Sequence, residues 1–346
     1  MILKVFGILI GLFVLELAIV AIIPGFSVPK QPLPKSKDLT NEVDTKPSWS
    51  RKDVSFEVKE TLLSAWLYLP KNLSAPVPCI IMGHGLGGTK DMGLEAYAVR
   101  YQEAGFAVLA FDYRHLGESE GEPRQLIWIP YQLEDWSAAI EYARDLNEID
   151  PGRIALWGTS LSGGHVIVTA ARDNKIACVS AQVPLLDGSA GGWEFLKRAG
   201  IGYILRMVMH AQRDLVRSWL GLSPHKIPLA GKPGSIAVLA DLDAWNTIGE
   251  LAPDDFVNEA CARIIARIDK YKPVKHAAKV LCPVLLQVCD NNISPMSVVE
   301  ETASKLGNMQ KLNTIQPAIL ISILEITLKK ALMINLIFSR NTFDLG

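Results

Sequence analysis

The apolar positions in the middle of the chain predict a parallel β-sheet. Four short runs are apolar almost throughout and are bounded by Gly, Pro or Asp: 79–82, 107–111, 154–157 and 179–183. Helical patterns at 94–104 and 133–146 lie between the first three runs. Strands that are buried on both faces and alternate with helices are typical of a parallel sheet. Two alternating β-patterns, at 54–58 and 65–69, precede this region.

This alternation is interrupted between the fourth run and an apolar run at 284–288. The interruption contains two predicted helical segments, at 193–219 and 254–271. They are separated by a Pro/Gly-rich stretch at 224–234. We predict a core domain of residues 51–188 and 280–346, with a helical cap of residues 189–279 inserted before the last strands.

The N-terminal segment has a different character. Residues 5–23 are apolar apart from Glu16, and as a helix they would span about 28 Å, close to the thickness of a bilayer core. A cleaved secretory signal would give a secreted protein, whereas an uncleaved helix would anchor the protein to the membrane. The run is long for a signal, and Ile22-Ile23-Pro24 is a poor cleavage site, so we favour an anchor at residues 1–24. Residues 25–50, rich in Pro and Lys, are predicted to be a linker.

Composition excludes several classes of function. The chain has 346 residues and a formal net charge of −1, which gives no electrostatic basis for binding nucleic acid. No metal or cofactor signature occurs, and we predict neither. The five cysteines are scattered, mostly in apolar runs, which predicts buried thiols. They are Cys79, Cys178, Cys261, Cys282 and Cys289.

The strongest chemical signal follows the third run, in the stretch IALWGTSLSGGH at residues 154–165. A strand, a tight turn that holds a serine, and a helix form a nucleophile elbow, usually G-x-S-x-G. Gly158 and Ser160 fit this pattern, while Ser162 replaces the second glycine and Gly163 follows it. The alternative interpretation is a Gly/Ser-rich turn without chemistry.

A second signal is the stretch GHGLGG at residues 83–88, directly after the first run. Such a loop brings backbone N–H groups close to a substrate oxygen and completes an oxyanion hole with the elbow. The predicted donors are the amides of Leu86 and Leu161. The alternative is a phosphate loop, but no Gly-Lys-Ser/Thr follows and the spacing does not fit a dinucleotide fingerprint.

Several further stretches carry a resemblance to a known family. They are FDYRHLGESEGEPR, GTSLSGGHV, AQVPLLDG, HKIPLAGKPGS and NEACARI. Over about residues 53–290 the chain resembles bacterial and fungal α/β hydrolases related to dienelactone hydrolases, X-Pro peptidases and polyketide transferases. The resemblance implies the α/β-hydrolase fold, a mostly parallel doubly wound sheet, with Ser160 as nucleophile. It also implies a small acyl substrate: an ester, thioester or lactone.

The resemblance also implies a Ser…Asp…His triad whose acid follows the strand at 284–288. The position that usually carries the triad aspartate in relatives is occupied by Asn292 in this chain. The role of triad acid is therefore assigned to Asp290. Asp112 and His115, in the FDYRHLG stretch, are expected to fix a loop near the pocket.

No histidine follows Asp290, although the triad order requires one. Without a general base, the hydroxyl of Ser160 is a poor nucleophile. None of the six histidines is expected to take the place of the triad histidine. They lie in the oxyanion loop, in the FDYRHLG loop, behind the elbow, in the cap and ahead of the last strands. They are His84, His115, His165, His210, His225 and His276.

The C-terminal tail suggests why the histidine is missing. Relatives have a Tyr-Pro strand end, then Gly-His-Phe-Asp, then a helix. When the tail is back-translated and read from each codon's third base, permitted codons give YPAGHFDIYFGDYFKKGINDQFDFF, which resembles that C-terminus. We therefore hypothesise a frameshift near residues 313–314, either real or a sequencing error. Two functions stay open: a serine hydrolase, or a catalytically impaired hydrolase-fold protein that acts as a binding module or is a frameshifted product.

Overall fold

A computed structural model describes residues 28–34, 51–71, 73–190, 200–289 and 293–307, the backbone of 310–315, and isolated positions between residues 7 and 19. The predicted anchor falls mostly outside these ranges. Within them, no helix is long and apolar enough to cross a membrane, so the predicted span gains no support.

The core is an eight-stranded sheet in the order β1-β2-β4-β3-β5-β6-β9-β10. Strands β1, β2 and β4 pair antiparallel, and all other neighbours are parallel. The five apolar runs lie in β3, β4, β5, β6 and β9, which confirms the predicted mostly parallel sheet. In chain order the strands are β1 (Arg51–Val58), β2 (Thr61–Tyr68), β3 (Val77–Gly83), β4 (Ala107–Phe111), β5 (Ile149–Thr159), β6 (Ile176–Gln182), β7 (Lys226–Ile227), β8 (Ala260–Cys261), β9 (Val284–Cys289) and β10 (Gln310–Ile315).

The helices are α1 (Leu94–Glu103), α2 (Ile129–Asp145), α3 (Leu161–Ala170), α4 (Ile201–Trp219), α5 (Leu242–Leu251), α6 (Ile265–Ile268) and α7 (Met296–Leu306). Helix α2 begins before the predicted residue 133, because a proline in its first turn is well suited to start a helix.

Both faces of the sheet are buried, as the continuous apolar runs predicted. In β3, Ile81 packs into one core cluster, while Ile80 and Met82 pack into another. This follows from the alternation of side chains along a strand. On the first face, Trp136 of α2 is fully buried, with its ring 5.2 Å from that of Phe111. All five cysteines are free thiols, and all but Cys289 are buried.

The cap, for which we keep the predicted range 189–279, differs in detail from the prediction. A helix over 254–271 is wrong: the segment forms β8, a 3₁₀ turn (Ala262–Ile264) and the short α6. Its backbone is instead held by distant partners, since the Cys261 amide donates to the Gln125 carbonyl. Helix α5 was missed, although Asp241 is a regular N-cap that accepts from the Ala244 amide at 2.8 Å.

Part of the predicted linker lies against the cap. The side chain of Asn258 donates to the Gln31 carbonyl at 3.1 Å, and the Lys232 amide donates to the Gln31 side chain at 3.3 Å. Pro34 packs so closely on Gly249 that a Cβ there would lie 2.3 Å from the proline ring. Residues 28–34 are therefore packed onto the protein, and do not form a free tether.

One buried carboxylate joins the elements of the cap. Asp214 of α4 is fully buried and accepts from the His225 amide at 2.7 Å, the Arg263 amide at 2.9 Å and the Arg263 Nε at 2.6 Å. The guanidinium of Arg263 is itself buried, so each charge depends on the other for compensation.

Substituting Asp214→Asn is expected to lower the free energy of unfolding by about 3 kcal/mol or more, because it leaves a buried guanidinium without its countercharge. Urea denaturation of the full chain measures this change. Glu301→Gln is the matched control, since its ion pair with Lys305 is exposed and its loss should cost less than about 0.5 kcal/mol. Equal losses in the two variants would contradict this role of Asp214.

Candidate active site

The turn between β5 and α3 has the backbone of a nucleophile elbow. Ser160 has φ 56° and ψ −117°, a left-handed conformation that costs a non-glycine residue on the order of 1–3 kcal/mol. Backbone bonds hold it on both sides: the Ser160 amide donates to the Gln182 carbonyl, and its carbonyl accepts from the Leu185 amide, each at 2.9 Å. Ser160 is partly exposed at the carboxyl edge of the sheet.

Two glycines make this turn possible. A Cβ on Gly158 would lie 2.3 Å from the carbonyl oxygen of Ser162, and a Cβ on Gly163 would lie 2.9 Å from the Cα of Pro184. Such contacts are too short for any side chain. Gly163 thus allows helix α3 to approach the backbone of Pro184 closely. It stands one place later than the second glycine of the usual pattern.

Ser162 has a role that sequence reasoning missed. Its hydroxyl is fully buried and donates to the carbonyl of His84 in the oxyanion loop. It also accepts from the hydroxyl of Tyr113, which in turn accepts from the Trp136 indole at 2.7 Å. This buried chain ties the elbow to the oxyanion loop. Ser162 and Tyr113 are 49 residues apart, and no local pattern indicates their pairing.

The predicted oxyanion loop lies against Ser160. A Cβ on Gly85 would be 3.2 Å from the Cβ of Ser160, and the turn is closed by the Gly88 amide donating to the Gly85 carbonyl at 3.2 Å. Leu86 follows Gly85 directly, and Leu161 is the first residue of α3. The first amides of a helix have no acceptor within it, and its N-terminus favours negative charge.

The cap reaches this loop. Gly87 has φ 65°, and a Cβ there would lie 2.6 Å from a methyl group of Leu229. Leu229 is fully buried, and belongs to the Pro/Gly-rich stretch of the cap. The loop conformation at Gly87 therefore depends on a cap side chain as well as on the sheet.

Asp112 fixes a neighbouring loop. Its buried carboxylate accepts from the amide and the ammonium of Lys90, both at 2.7 Å, and from the Glu118 amide at 3.1 Å. Burial acts to lower the pKa of Lys90, but Asp112 and Glu118 outweigh it, so the pKa is raised and the ammonium stays charged. His115 fixes the same region through its backbone, accepting from the Gln125 amide and donating to the Glu120 carbonyl.

His165, behind the elbow, is held by other partners. Its Nδ1 lies 2.7 Å from the hydroxyl of Tyr271, and its Nε2 lies 3.0 Å from the side-chain oxygen of Gln132. Burial lowers its pKa to about 3, so the ring is neutral at physiological pH. A ring with both nitrogens occupied cannot take a proton from Ser160.

Four further histidines lie in the oxyanion loop, in the cap and ahead of β9. His84 is buried and donates from Nδ1 to the Gly85 carbonyl at 3.0 Å, and burial lowers its pKa. His210 and His225 bond to each other at 2.8 Å in the cap. His276 lies at the end of a 3₁₀ turn ahead of β9.

Asp290, the predicted acid, lies just outside the described residues, between the end of β9 and Ser294. Both sides of this gap are fixed near the elbow. The buried Ser294 hydroxyl accepts from the Leu186 amide at 2.7 Å and donates to the Pro184 carbonyl at 2.9 Å. In the parallel pair of β9 and β10, Ile315 is opposite Cys289, so the two strands end at the same edge of the sheet.

The chain is similar in sequence to known proteins. A family model of X-Pro dipeptidyl-peptidases (S15 family) matches residues 59–200. The quorum-quenching protein AidA of Acinetobacter baumannii is 41% identical over 261 residues, which cover 74% of this chain and 84% of that protein.

Solved structures show the same fold. The structure of the DcsB complex with its substrate analogue aligns with a TM-score of 0.71 at 20% identity, covering 85% of this chain and 99% of that one. The α/β hydrolase GrgF from Penicillium sp. aligns with a TM-score of 0.64 at 23% identity, covering 82% and 98%. Together with the sheet order and the elbow, these matches show that the chain belongs to the α/β-hydrolase superfamily, in the family that includes AidA.

Proposed function

We propose that this lineage is a serine hydrolase that cleaves ester, thioester or lactone bonds of small acyl substrates, with Ser160 as nucleophile. The observation that carries the proposal is the strained, partly exposed Ser160 in contact with Gly85 of the oxyanion loop. Strain of this kind persists only where the surroundings enforce it, and it is concentrated at functional sites.

In the proposed reaction, the Ser160 hydroxyl attacks the substrate carbonyl while a general base takes its proton. The amides of Leu86 and Leu161 stabilise the oxyanion of the tetrahedral intermediate. The base then protonates the leaving group, and water releases the acyl group in a second, equivalent step. Asp290 would orient the base. The cap would shape the acyl pocket.

The sequence as given has no histidine after Asp290 to act as the general base. His165, the histidine behind the elbow, is neutral and is bonded through both ring nitrogens. Strands β9 and β10 end at the same edge of the sheet, with Ile315 opposite Cys289, which supports a triad drawn from the segments that follow these two strands. We propose that the chain as written is therefore catalytically impaired, and that the alternate-frame tail supplies the missing histidine at this edge.

The names of the relatives support acyl chemistry without selecting a substrate. They include a quorum-quenching protein, a thiohydrolase of Aspergillus aculeatus and polyketide transferases. A binding protein without turnover is the second candidate. It is favoured by the absence of a histidine after Asp290 in the sequence as written.

The first test compares the chain as written with a chain that carries the alternate-frame tail. We expect the second chain to hydrolyse p-nitrophenyl acetate about 10³-fold faster or more, because losing a triad member typically removes several orders of magnitude in rate. Equal, high turnover in both chains would contradict the claim that the base is missing. Sequencing the final hundred bases of the gene then decides whether the frameshift is real.

The second test identifies the nucleophile in the chain with the alternate-frame tail. Ser160→Ala should abolish labelling by a fluorophosphonate probe and leave the fold intact by circular dichroism. Ser137→Ala is the control, since that hydroxyl bonds within α2 and should leave labelling unchanged. Undiminished labelling of the Ser160 variant would exclude the proposed mechanism.

A further inference from the structure

Two stretches of the cap that carry the family resemblance are joined through one side chain. Asn258 begins the stretch NEACARI, and Ala230 lies in the stretch HKIPLAGKPGS. The side-chain oxygen of Asn258 accepts from the Ala230 amide at 2.8 Å, and its Nδ2 donates to the Ala230 carbonyl at 3.0 Å. Both backbone groups of a fully buried residue are therefore bonded to one side chain. This pattern needs a donor beside an acceptor, which a carboxamide provides and a carboxylate does not.

The backbone around Ala230 is also bonded to a second segment of the cap. The Val238 amide donates to the Pro228 carbonyl at 2.9 Å, and the Leu239 amide donates to the Leu229 carbonyl at 2.8 Å. The three consecutive carbonyls of residues 228–230 are thus all bonded. A backbone held in this way opens rarely, so the side chain of Leu229 is presented in one position.

This position is against the oxyanion loop. Leu229 is fully buried, and three of its side-chain carbons lie 2.6 to 3.2 Å from the place that a Cβ on Gly87 would take. Gly87 has φ 65°, a left-handed conformation that glycine adopts readily. The turn is closed by the bond from the Gly88 amide to the Gly85 carbonyl, which at 3.2 Å is at the long end of the usual range. Packing by Leu229 therefore contributes to keeping the loop in this conformation.

The N-terminal segment completes the bonding of the same carboxamide. The Nδ2 of Asn258 also donates to the Gln31 carbonyl, at 3.1 Å. A carboxamide has two N–H groups, so both donors of Asn258 are used. Its Nδ2 consequently faces two carbonyl oxygens, and a carboxylate at this place would be repelled by both.

We infer that Asn258 is a positioning residue for the oxyanion loop, which acts by holding Ala230 so that Leu229 packs on Gly87. The loop at residues 83–88 is then set from the cap as well as from the sheet. The consequence for catalysis, through the amide of Leu86, rests on the proposed function. The alternative is that Asn258 stabilises the cap alone.

The experiment measures backbone hydrogen exchange by mass spectrometry in the full chain as written. At about pH 8, Asn258→Asp should make the amides of residues 83–90 exchange about 10-fold faster or more, because the loop opens more often. Leu229→Ala should have the same effect, since it removes the last contact in the series. Asn246→Asp is the matched control: it makes the same change of charge at an exposed position of α5 and should leave the loop unchanged. Circular dichroism verifies that all three variants are folded.

The pH dependence separates positioning from a general loss of stability. A protonated carboxyl carries a donor beside an acceptor, as the carboxamide does. The neighbouring carbonyl oxygens raise the pKa of the introduced carboxyl, because they favour its protonated form. After correction for intrinsic exchange, the excess loop exchange of Asn258→Asp should therefore shrink several-fold between about pH 8 and pH 5, whereas that of Leu229→Ala should persist.

Unchanged loop exchange in both variants would overturn the inference. It would also be overturned by faster exchange confined to cap peptides, or by an excess in Asn258→Asp that is equally large at both pH values. In the chain with the alternate-frame tail, Asn258→Asp should lower kcat for p-nitrophenyl acetate about 10-fold and change KM less than twofold, as expected when transition-state stabilisation is lost. A parent chain without turnover would contradict the proposed function, whereas the exchange results decide the positioning role without it.

Discussion

The left-handed backbone of Ser160 is the constraint on which the active-site end of the molecule depends. It is maintained by close packing that only glycine permits, at Gly158 below the turn and at Gly163 against Pro184. The same turn is bonded to β6 and to the segment after it, so the strain is offset by contacts on several sides. The neighbouring oxyanion loop is joined to the elbow through the Ser162 hydroxyl. The geometry around Ser160 is thus a property of the sheet edge as a whole.

The strands and the elbow could be predicted because their signals are local. A continuous apolar run bounded by turn residues specifies a buried strand, and Gly158 and Ser160 lie two residues apart. The cap was harder, because its backbone is held by residues far along the chain. Ala260 and Cys261 pair with β7, and the Cys261 amide donates to the Gln125 carbonyl, so part of a segment with a helical pattern became extended. The pairing of Ser162 with Tyr113 was not predictable for the same reason.

The buried polar groups also explain why His165, although it lies behind the elbow, is not placed to act as a general base. A histidine in a dry interior is neutral, and its two nitrogens require partners. His165 has found them in Tyr271 and Gln132. Its ring is fixed by these bonds and cannot turn toward a new partner without leaving a buried polar atom unpaired.

The contact of Leu229 with Gly87 has a consequence for how such enzymes can diversify. The methyl groups of a cap residue occupy the space where a side chain on the oxyanion loop would stand. Reshaping the cap at this point would unseat the loop that carries Leu86. In the proposed reaction, substrate range and transition-state stabilisation are therefore inherited together, and new specificity is more accessible through cap positions that do not touch this loop.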